Sequence, residues 1–279
     1  MQIKTDGIVL REVRYNDSDR LLTILSGEHG LLYAFARGAD RMKSRMSAAT
    51  KQLCYSDFIL YESKERCLVD TAETKTVFLG LSRSLENYSL ANYLAQLCIY
   101  LAPQTEDSRQ ILRLLLNCLY MLDQNKRRHT FIKPLFELRL MTVCGFMPNL
   151  LGCRECLCYE APAMLFLPGS GEILCEGCAK QAEIPMDAQW IDPTVLTAMR
   201  HIVLSDFEKL FSFRIPEETL AQLGRVTEQY VMQKLEHHFS TLDFYHSICL
   251  PDPLAGQAGG TQNGEEASHS DEESDYDKS

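Results

Sequence analysis

Two close cysteine pairs, Cys153-x2-Cys156 and Cys175-x2-Cys178, stand eighteen residues apart in this chain. Each pair can clamp one edge of a tetrahedral metal, and the length between them suits a short hairpin that brings the clamps together. A chain tied in this way must build a small metal-centred module inside whatever larger fold surrounds it. The chain holds eleven cysteines, and most of the others read differently. Cys54, Cys67, Cys98, Cys118, Cys144 and Cys249 lie singly in apolar runs, as core or near-core thiols do. The paired four sit among turn residues and charges, in Gly152-Cys153-Arg154-Glu155-Cys156 and Cys175-Glu176-Gly177-Cys178. The expected occupant is one structural zinc ion. An iron centre fits on ligand type alone, and unmetallated thiols or a disulfide pair are the bland alternatives. Cys158, two residues past Cys156, is a competing ligand, although C-x2-C is the commoner clamp.

A site of four thiolates has no open position for water or substrate, so it builds structure and does not activate a nucleophile. That argues against a zinc hydrolase. A zinc nucleobase deaminase needs an H-x-E element upstream of its cysteine pair, and the sequence contains none. Neither a phosphate-cradling P-loop nor a G-x-S-x-G serine elbow occurs. The expectation is a protein that is not an enzyme. Met1-Gln2-Ile3-Lys4-Thr5-Asp6 shows no charged region followed by an apolar run, and the most apolar stretch, Leu90 to Ala102, is short and holds Asn92 and Gln96. A cytoplasmic protein follows, and reduced thiols suit that compartment.

The hydrophobic pattern changes along the chain. Gly7-Ile8-Val9-Leu10, Arg20 to Leu25, Leu31 to Ala36, Phe58 to Tyr61 and Cys67 to Thr71 read as short strands, with turns at Tyr15 to Asp19 and Gly27 to Gly30. Five strands with one long connection after the third suit a small closed barrel of OB type, and an SH3-like barrel gives much the same pattern. From Thr76 the period becomes helical. Helices are expected from Leu90 to a stop at Pro103, from Ser108 to Leu122 (apolar on nearly every side), from Phe131 to Phe146, from Pro193 to Ser205 and from Pro216 to Phe239. The fold class is therefore α+β, an N-terminal five-stranded OB-fold barrel followed by an α-helical domain carrying a four-cysteine zinc-binding insertion. The domains are residues 1–80, residues 81–250 with the zinc module at about 150–182, and a disordered acidic tail at 251–279. His237-His238 falls on the last predicted helix, where adjacent residues diverge, and reads as surface.

The formal net charge is −10, but it is unevenly spread. Between Ala255 and Ser279 there are seven acidic residues and one lysine, in a stretch rich in Gly, Ser, Asn and Gln. Arg37 to Lys51 holds five basic residues and one acid. In that strip Arg37, Arg41, Lys43 and Arg45 can neutralise phosphates and Ser44 can donate to a phosphate oxygen. Tyr15, Tyr33 and Phe35 can offer stacking faces to unpaired bases. A solvated loop, with the aromatics filling the barrel, is the bland reading. The tail is either a solubilising terminus or a mimic of DNA charge that folds back on the basic loop.

The order of these parts resembles the bacterial RecO recombination mediators. The resemblance rests on Gly7-Ile8-Val9-Leu10, Asp19-Arg20-Leu21-Leu22-Thr23, and Ala36-Arg37-Gly38-Ala39 leading into Lys43-Ser44. It also rests on the insertion with Gly169-Ser170-Gly171 before the second cysteine pair, and it spans residues 1 to about 245. Leu157 stands after Cys156 where glycine is common, Gly169-Ser170-Gly171 replaces two adjacent glycines, and the acidic tail lies outside the pattern. The resemblance implies a mediator of DNA repair and homologous recombination, associated with the nucleoid. Such a protein binds single- and double-stranded DNA, anneals complementary strands and, with RecR and often RecF, helps load RecA on DNA coated with single-strand-binding protein. It assigns Arg37, Arg41, Lys43, Ser44 and Arg45 to phosphate contacts and Cys153, Cys156, Cys175 and Cys178 to zinc. The helical domain is where the family docks the tail of single-strand-binding protein, and here Arg109, Arg113 and Arg139 near Leu112 and Leu116 are the expected groove. The competing reading is a zinc-containing OB-fold interaction or transcription-assembly factor without annealing activity.

Overall fold

The computed structural model describes residues 1–62, 67–104 and 106–249. The acidic tail expected at 251–279 lies outside them. Five strands, β1 (Gln2–Arg14), β2 (Arg20–Ser26), β3 (Gly30–Ala36), β4 (Cys54–Glu62) and β5 (Cys67–Val77), close a barrel in the order β1-β2-β3-β5-β4. All pairs are antiparallel except β3 with β5, where Ala34 faces Cys67 and Phe35 faces Leu68. This is the OB arrangement, in which β1 pairs with both β2 and β4. The strands run longer than the apolar runs predict, because their ends are polar residues held by ladder bonds and not by burial.

Strand alternation splits the barrel between two cores. Val9, Leu22, Ile24, Ala34, Ala36, Phe58 and Leu60 fill its interior, whereas Ile8, Leu10, Leu25 and Leu31 join the core of the helical part. The helical part comprises the short 3-10 turn Leu79–Arg83, α1 (Leu85–Leu101), α2 (Arg109–Asp123), α3 (His129–Val143), α4 (Glu176–Ala179), α5 (Pro193–Leu204), α6 (Glu217–Leu235) and α7 (Ser240–Cys249). Ser84 caps α1 by accepting from the Asn87 N–H, and Asp192 caps α5 by accepting from Thr194 and Val195. In α3, Lys133 and Glu137 are buried as a pair at 2.8 Å, and Glu137 also accepts from Tyr93 of α1 and Thr227 of α6. One carboxylate thus ties three helices, and its burial is offset by three polar partners.

Three expectations are corrected. The second helix is not apolar all round: Arg109, Arg113 and Tyr120 form an exposed stripe on α2, and the faces around Leu114, Leu115 and Cys118 are buried. The helix expected to run to Phe239 stops at Leu235, because Glu236 adopts the left-handed conformation that ends helices, at φ 46. A further helix, α7, follows the break. His237 and His238 therefore lie between helices: His237 stacks on Tyr100 with ring centroids 4.5 Å apart, and His238 pairs with Asp243 at 2.8 Å. No described helix is long and apolar enough to cross a membrane.

A second small sheet, β7-β6-β8, is formed by β6 (Met164–Leu167), β7 (Glu172–Cys175) and β8 (Gln189–Ile191). Alternation along β6 sends Met164 and Phe166 into the helical core and Leu165 and Leu167 into a separate cluster with Cys153, Leu174 and Ala179. The sheet is thus the floor between the helices and the cysteine module.

Candidate nucleic-acid interface and metal centre

The basic segment leaves the barrel at the end of β3 and is held down by the β1–β2 turn. Asn16 builds that turn by accepting from the N–H groups of Ser18 and Asp19 at 3.0 and 2.8 Å. Asp19 in turn accepts from the Gly38 N–H at 2.7 Å, and the Asp40 N–H donates to the Ser18 carbonyl at 3.0 Å. Gly38 sits at φ +66, so the loop needs glycine there for backbone conformation. The Gly38 N–H, ahead of Asn16, holds the Asp19 carboxyl below the ordinary carboxylate range.

Arg20 fixes the rest of the loop from beneath. Its side chain is 2% exposed, and Nη1 donates to the Ser47 carbonyl at 2.8 Å and to Thr50 Oγ1 at 2.7 Å. Nε donates to Asp40 Oδ1 at 3.0 Å, and Nη2 reaches the same carboxylate. The hydrogen bond from Arg20 is the main cause that holds Asp40 below its ordinary value. Arg14 joins Asp40 at 3.4 Å, and Lys51 pairs with Glu12 at 3.1 Å. Lys51 of the strip and Arg14 beside it are therefore already matched.

Arg37, Arg41, Lys43 and Arg45 are exposed and make no ion pair among the described residues. Ser44 is half-buried, its N–H donating to the Arg41 carbonyl at 2.9 Å in a tight turn. Beside them, β3 turns Ala34 and Ala36 inward and Tyr33 and Phe35 outward. Tyr33 is 47% exposed and Tyr15 62% exposed, with Tyr15 set edge-on to Phe35 at 5.2 Å between centroids. The aromatics do not fill the barrel, where small alanines do. A clamped loop of cations next to outward aromatic faces has the chemistry to hold a polyanion with stackable bases.

The four paired cysteines come together, with all their sulfurs within 4.8 Å of one another and Cys156 and Cys175 at 3.6 Å. A tetrahedral ion with metal–sulfur bonds of about 2.3 Å needs sulfurs roughly 3.8 Å apart, so the set fits. Cys175 ends β7, Cys178 lies in α4, and Cys153 bridges Ile173. Burial pushes the Cys153 thiol up, but N–H groups of Cys156, Cys175 and Glu155 outweigh it and bring the thiol down to about 6. Cys158 is not one of the four; its sulfur donates to the Glu160 carbonyl at 2.8 Å. The module is tied to α5 by Arg200, buried, which donates to the carbonyls of Leu150 at 2.7 Å and Tyr159 at 2.7 Å and stacks on the Tyr159 ring. Sequence reasoning missed Arg200, since a single arginine in an amphipathic helix carries no signal. Gly171, at φ +77, lets Tyr230 approach to 3.1 Å of where a Cβ would stand, which accounts for glycine at the end of Gly169-Ser170-Gly171.

Leu157 follows Cys156 at φ 61 and is exposed. Its side chain gains nothing there and its backbone is strained, which explains why glycine suits this position. Leu157→Gly is expected to stabilise the metal-loaded protein by about 1 kcal/mol. A thermal melt that does not rise would show that the turn relaxes around leucine.

The three arginines expected to form one groove hold three different partners. Arg109 pairs with Asp107, Arg113 with Glu208 at 2.9 Å while lying over the Phe207 ring, and Arg139 donates to the Ile202 and Val203 carbonyls at the end of α5. Leu112 is buried and Leu116 half-buried.

The model of the family described as "Recombination protein O N terminal" matches residues 1–78, and that described as "Recombination protein O C terminal" matches residues 82–243. A protein of Acetivibrio thermocellus named "DNA repair protein RecO" is 32% identical over 246 residues, covering 88% of this chain and 97% of its own. The protein of the same name from Alkaliphilus metalliredigens is 28% identical, covering 89% of this chain and 100% of its own. That of Dehalococcoides mccartyi strain 195 is 29% identical, covering 83% and 91%.

Proposed function

The chain belongs to the RecO family of DNA repair proteins, and from that premise we propose that it is a recombination mediator that acts without making or breaking bonds. In this reading it binds single- and double-stranded DNA on the barrel, anneals complementary strands and, with RecR and RecF, helps load RecA onto DNA coated with single-strand-binding protein. The observation that carries the reading is the clamped loop, where Arg37, Arg41, Lys43 and Arg45 stand exposed, without ion pairs among the described residues, on the side of Tyr15 and Tyr33. Annealing needs phosphates neutralised, bases left accessible and the strand released. A loop anchored at its base with exposed cations at its surface supplies the first two at low ordering cost.

The division into residues 1–80, 81–250 and 251–279 belongs to this proposal, as does zinc as the ion held by Cys153, Cys156, Cys175 and Cys178. Zinc, when bound, supplies a fixed four-way crosslink and no open position for reaction. For the acidic tail of single-strand-binding protein, the exposed stripe of α2 is the docking face. Arg109 and Arg113 each hold one exposed acid that an incoming carboxylate can replace, while Arg139 is committed to the end of α5.

The test is a salt titration with a labelled single strand. Replacing both cations in Arg41→Ala with Lys43→Ala is expected to weaken binding about tenfold at 0.1 M salt and to reduce the slope of log K on log salt by about 1.4, or 0.7 per phosphate contact. Unchanged affinity and slope would remove the loop from the DNA contact and favour the interaction-factor reading.

A further inference from the structure

One irregularity in β1 sets what the outer face of the barrel carries. Val9 points into the barrel, and strict alternation would turn Arg11 inward after it. The β1–β2 ladder instead shifts register between Val9 and Arg11, which makes Leu10 an extra residue whose side chain joins the core of the helical part. Gln52 holds this bulge, its Nε2 donating to the Leu10 carbonyl at 3.0 Å. Arg11 therefore lies opposite Thr23, on the side away from the interior residues Leu22 and Ile24. Tyr33 flanks Thr23 from β3. The next row along the same face is Val13, Leu21 and Phe35, with Tyr15 edge-on to Phe35 at its margin.

The row on the other side, Ile8, Leu25 and Leu31, is buried in the core of the helical part. The open face is thus two rows deep and ends against the helices. Two strand spacings, about 10 Å, separate Arg11 from Tyr33. Between them Thr23 is only 8% exposed and forms a floor, while Arg11, Val13 and Tyr33 stand exposed. Arg11 makes no ion pair among the described residues. The result is a shallow shelf with a cation at one side and aromatic rings at the other. Phe35 leads through Ala36 to Arg37, so the shelf runs directly into the basic loop.

Loop and shelf do not ask the same thing of a nucleic acid. The loop offers cations, which neutralise the phosphates of a single strand or a duplex alike. The shelf offers a ring and an apolar surface, which need the flat face of a base. In a duplex every such face is covered by its stacked neighbours, and only phosphates and groove edges can be touched. We propose that the outward face of β1, β2 and β3 is a separate subsite that accepts only unpaired bases, with Arg11 as its own phosphate contact. This rests on the reading of the loop as the DNA contact. The barrel then holds a single strand by loop and shelf together, and the duplex that annealing makes by the loop alone. When two strands pair, their base faces close on each other, the shelf empties, and the product leaves.

The test is anisotropy with three labelled ligands: a 20-nucleotide strand, an abasic strand with the same phosphates and no bases, and the corresponding duplex. The unaltered protein is expected to bind the strand about tenfold more tightly than the abasic strand. Tyr33→Ala is expected to lower the ratio of strand to duplex affinity about tenfold. Arg11→Ala is expected to reduce the slope of log K on log salt by about 0.7 for the strand, with no matching change for the duplex. An abasic strand bound as tightly as the intact strand would overturn the proposal, and that comparison needs no variant to fold. Equal losses on strand and duplex in Tyr33→Ala would overturn it too, because the ring would then only support the loop. Both results leave the loop reading standing if Arg41→Ala with Lys43→Ala weakens binding to all three ligands. No loss on any of the three in that chain would instead sink the loop reading itself.

Discussion

Arg20→Met is expected to weaken DNA binding about tenfold while removing no group that touches DNA. The arginine is buried beneath the basic loop, where it donates to Ser47, Thr50 and Asp40. Methionine fills a similar volume but makes none of these bonds, so the Ser47 carbonyl loses its partner and Asp40 keeps only the exposed Arg14. Losing matched buried hydrogen bonds costs about 2 kcal/mol of stability. The barrel survives this, because its interior is carried by Val9, Leu22, Ile24 and Phe58. What fails is the loop. Arg37, Arg41, Lys43 and Arg45 then sample many positions, and fixing each on a phosphate costs about 0.5–1.5 kcal/mol per side chain. A salt titration separates this from loss of charge: the affinity falls, but the slope stays near that of the unaltered protein because the number of phosphate contacts is unchanged. A reduced slope would make Arg20 itself a phosphate contact, and unchanged affinity would mean that the loop needs no clamp.

The same clamp is insensitive to pH in the neutral range. The Asp19 and Asp40 carboxyls are both held below their ordinary value, by the Gly38 N–H and by Arg20 respectively. A group with a depressed folded pKa contributes its stabilisation above the unfolded value, about 3.9, and loses it as pH falls through the folded value. Release of the loop therefore belongs to strongly acid solution and is no part of ordinary regulation.

The barrel was legible because its strands carry period-two alternation and are cut by Tyr15 to Asp19 and Gly27 to Gly30, turn residues with a backbone reason to be there. The cysteine centre was legible from spacing alone. What escaped was non-local. Asp19 and Arg20 stood out only as part of a resemblance, since their partners Gly38, Asp40, Ser47 and Thr50 come from across a loop that periodicity cannot close. The break after α6 was hidden because Glu236, not glycine, takes the left-handed position. The exposed stripe Arg109, Arg113 and Tyr120 was present at helical spacing, but leucines on both sides of it hid it. The partners of Arg109, Arg113 and Arg139 were not legible either, because charge and apolar neighbours do not say which carboxylate or carbonyl an arginine already holds.

Cys175→Ser is expected to have the largest effect on the protein as a whole. Cys175 ends β7 and faces Cys156 at 3.6 Å, so serine removes one corner of the tetrahedron and replaces a soft thiolate by a hydroxyl that is a poor ligand. The cluster on that side of the sheet, Cys153, Leu165, Leu167, Leu174 and Ala179, is too small to hold the module by burial alone. Structural zinc supplies of order 10 kcal/mol of folding free energy in such a module. The damage then spreads, because Met164 and Phe166 on the other face of β6 and Ile173 of β7 belong to the main helical core. The variant is expected to be poorly soluble and to bind less than a tenth of one metal ion per chain, against about one zinc for the unaltered protein by elemental analysis. Treating the unaltered protein with a strong chelator should lower its melting temperature in the same direction, which separates metal loss from any direct effect of serine. Cys158→Ser is the control: its sulfur is engaged with the Glu160 carbonyl, so metal content should not change. Zinc kept in the Cys175→Ser chain but lost on changing Cys158 would move the fourth ligand to Cys158 and require the Cys156–Tyr159 turn to swing inward.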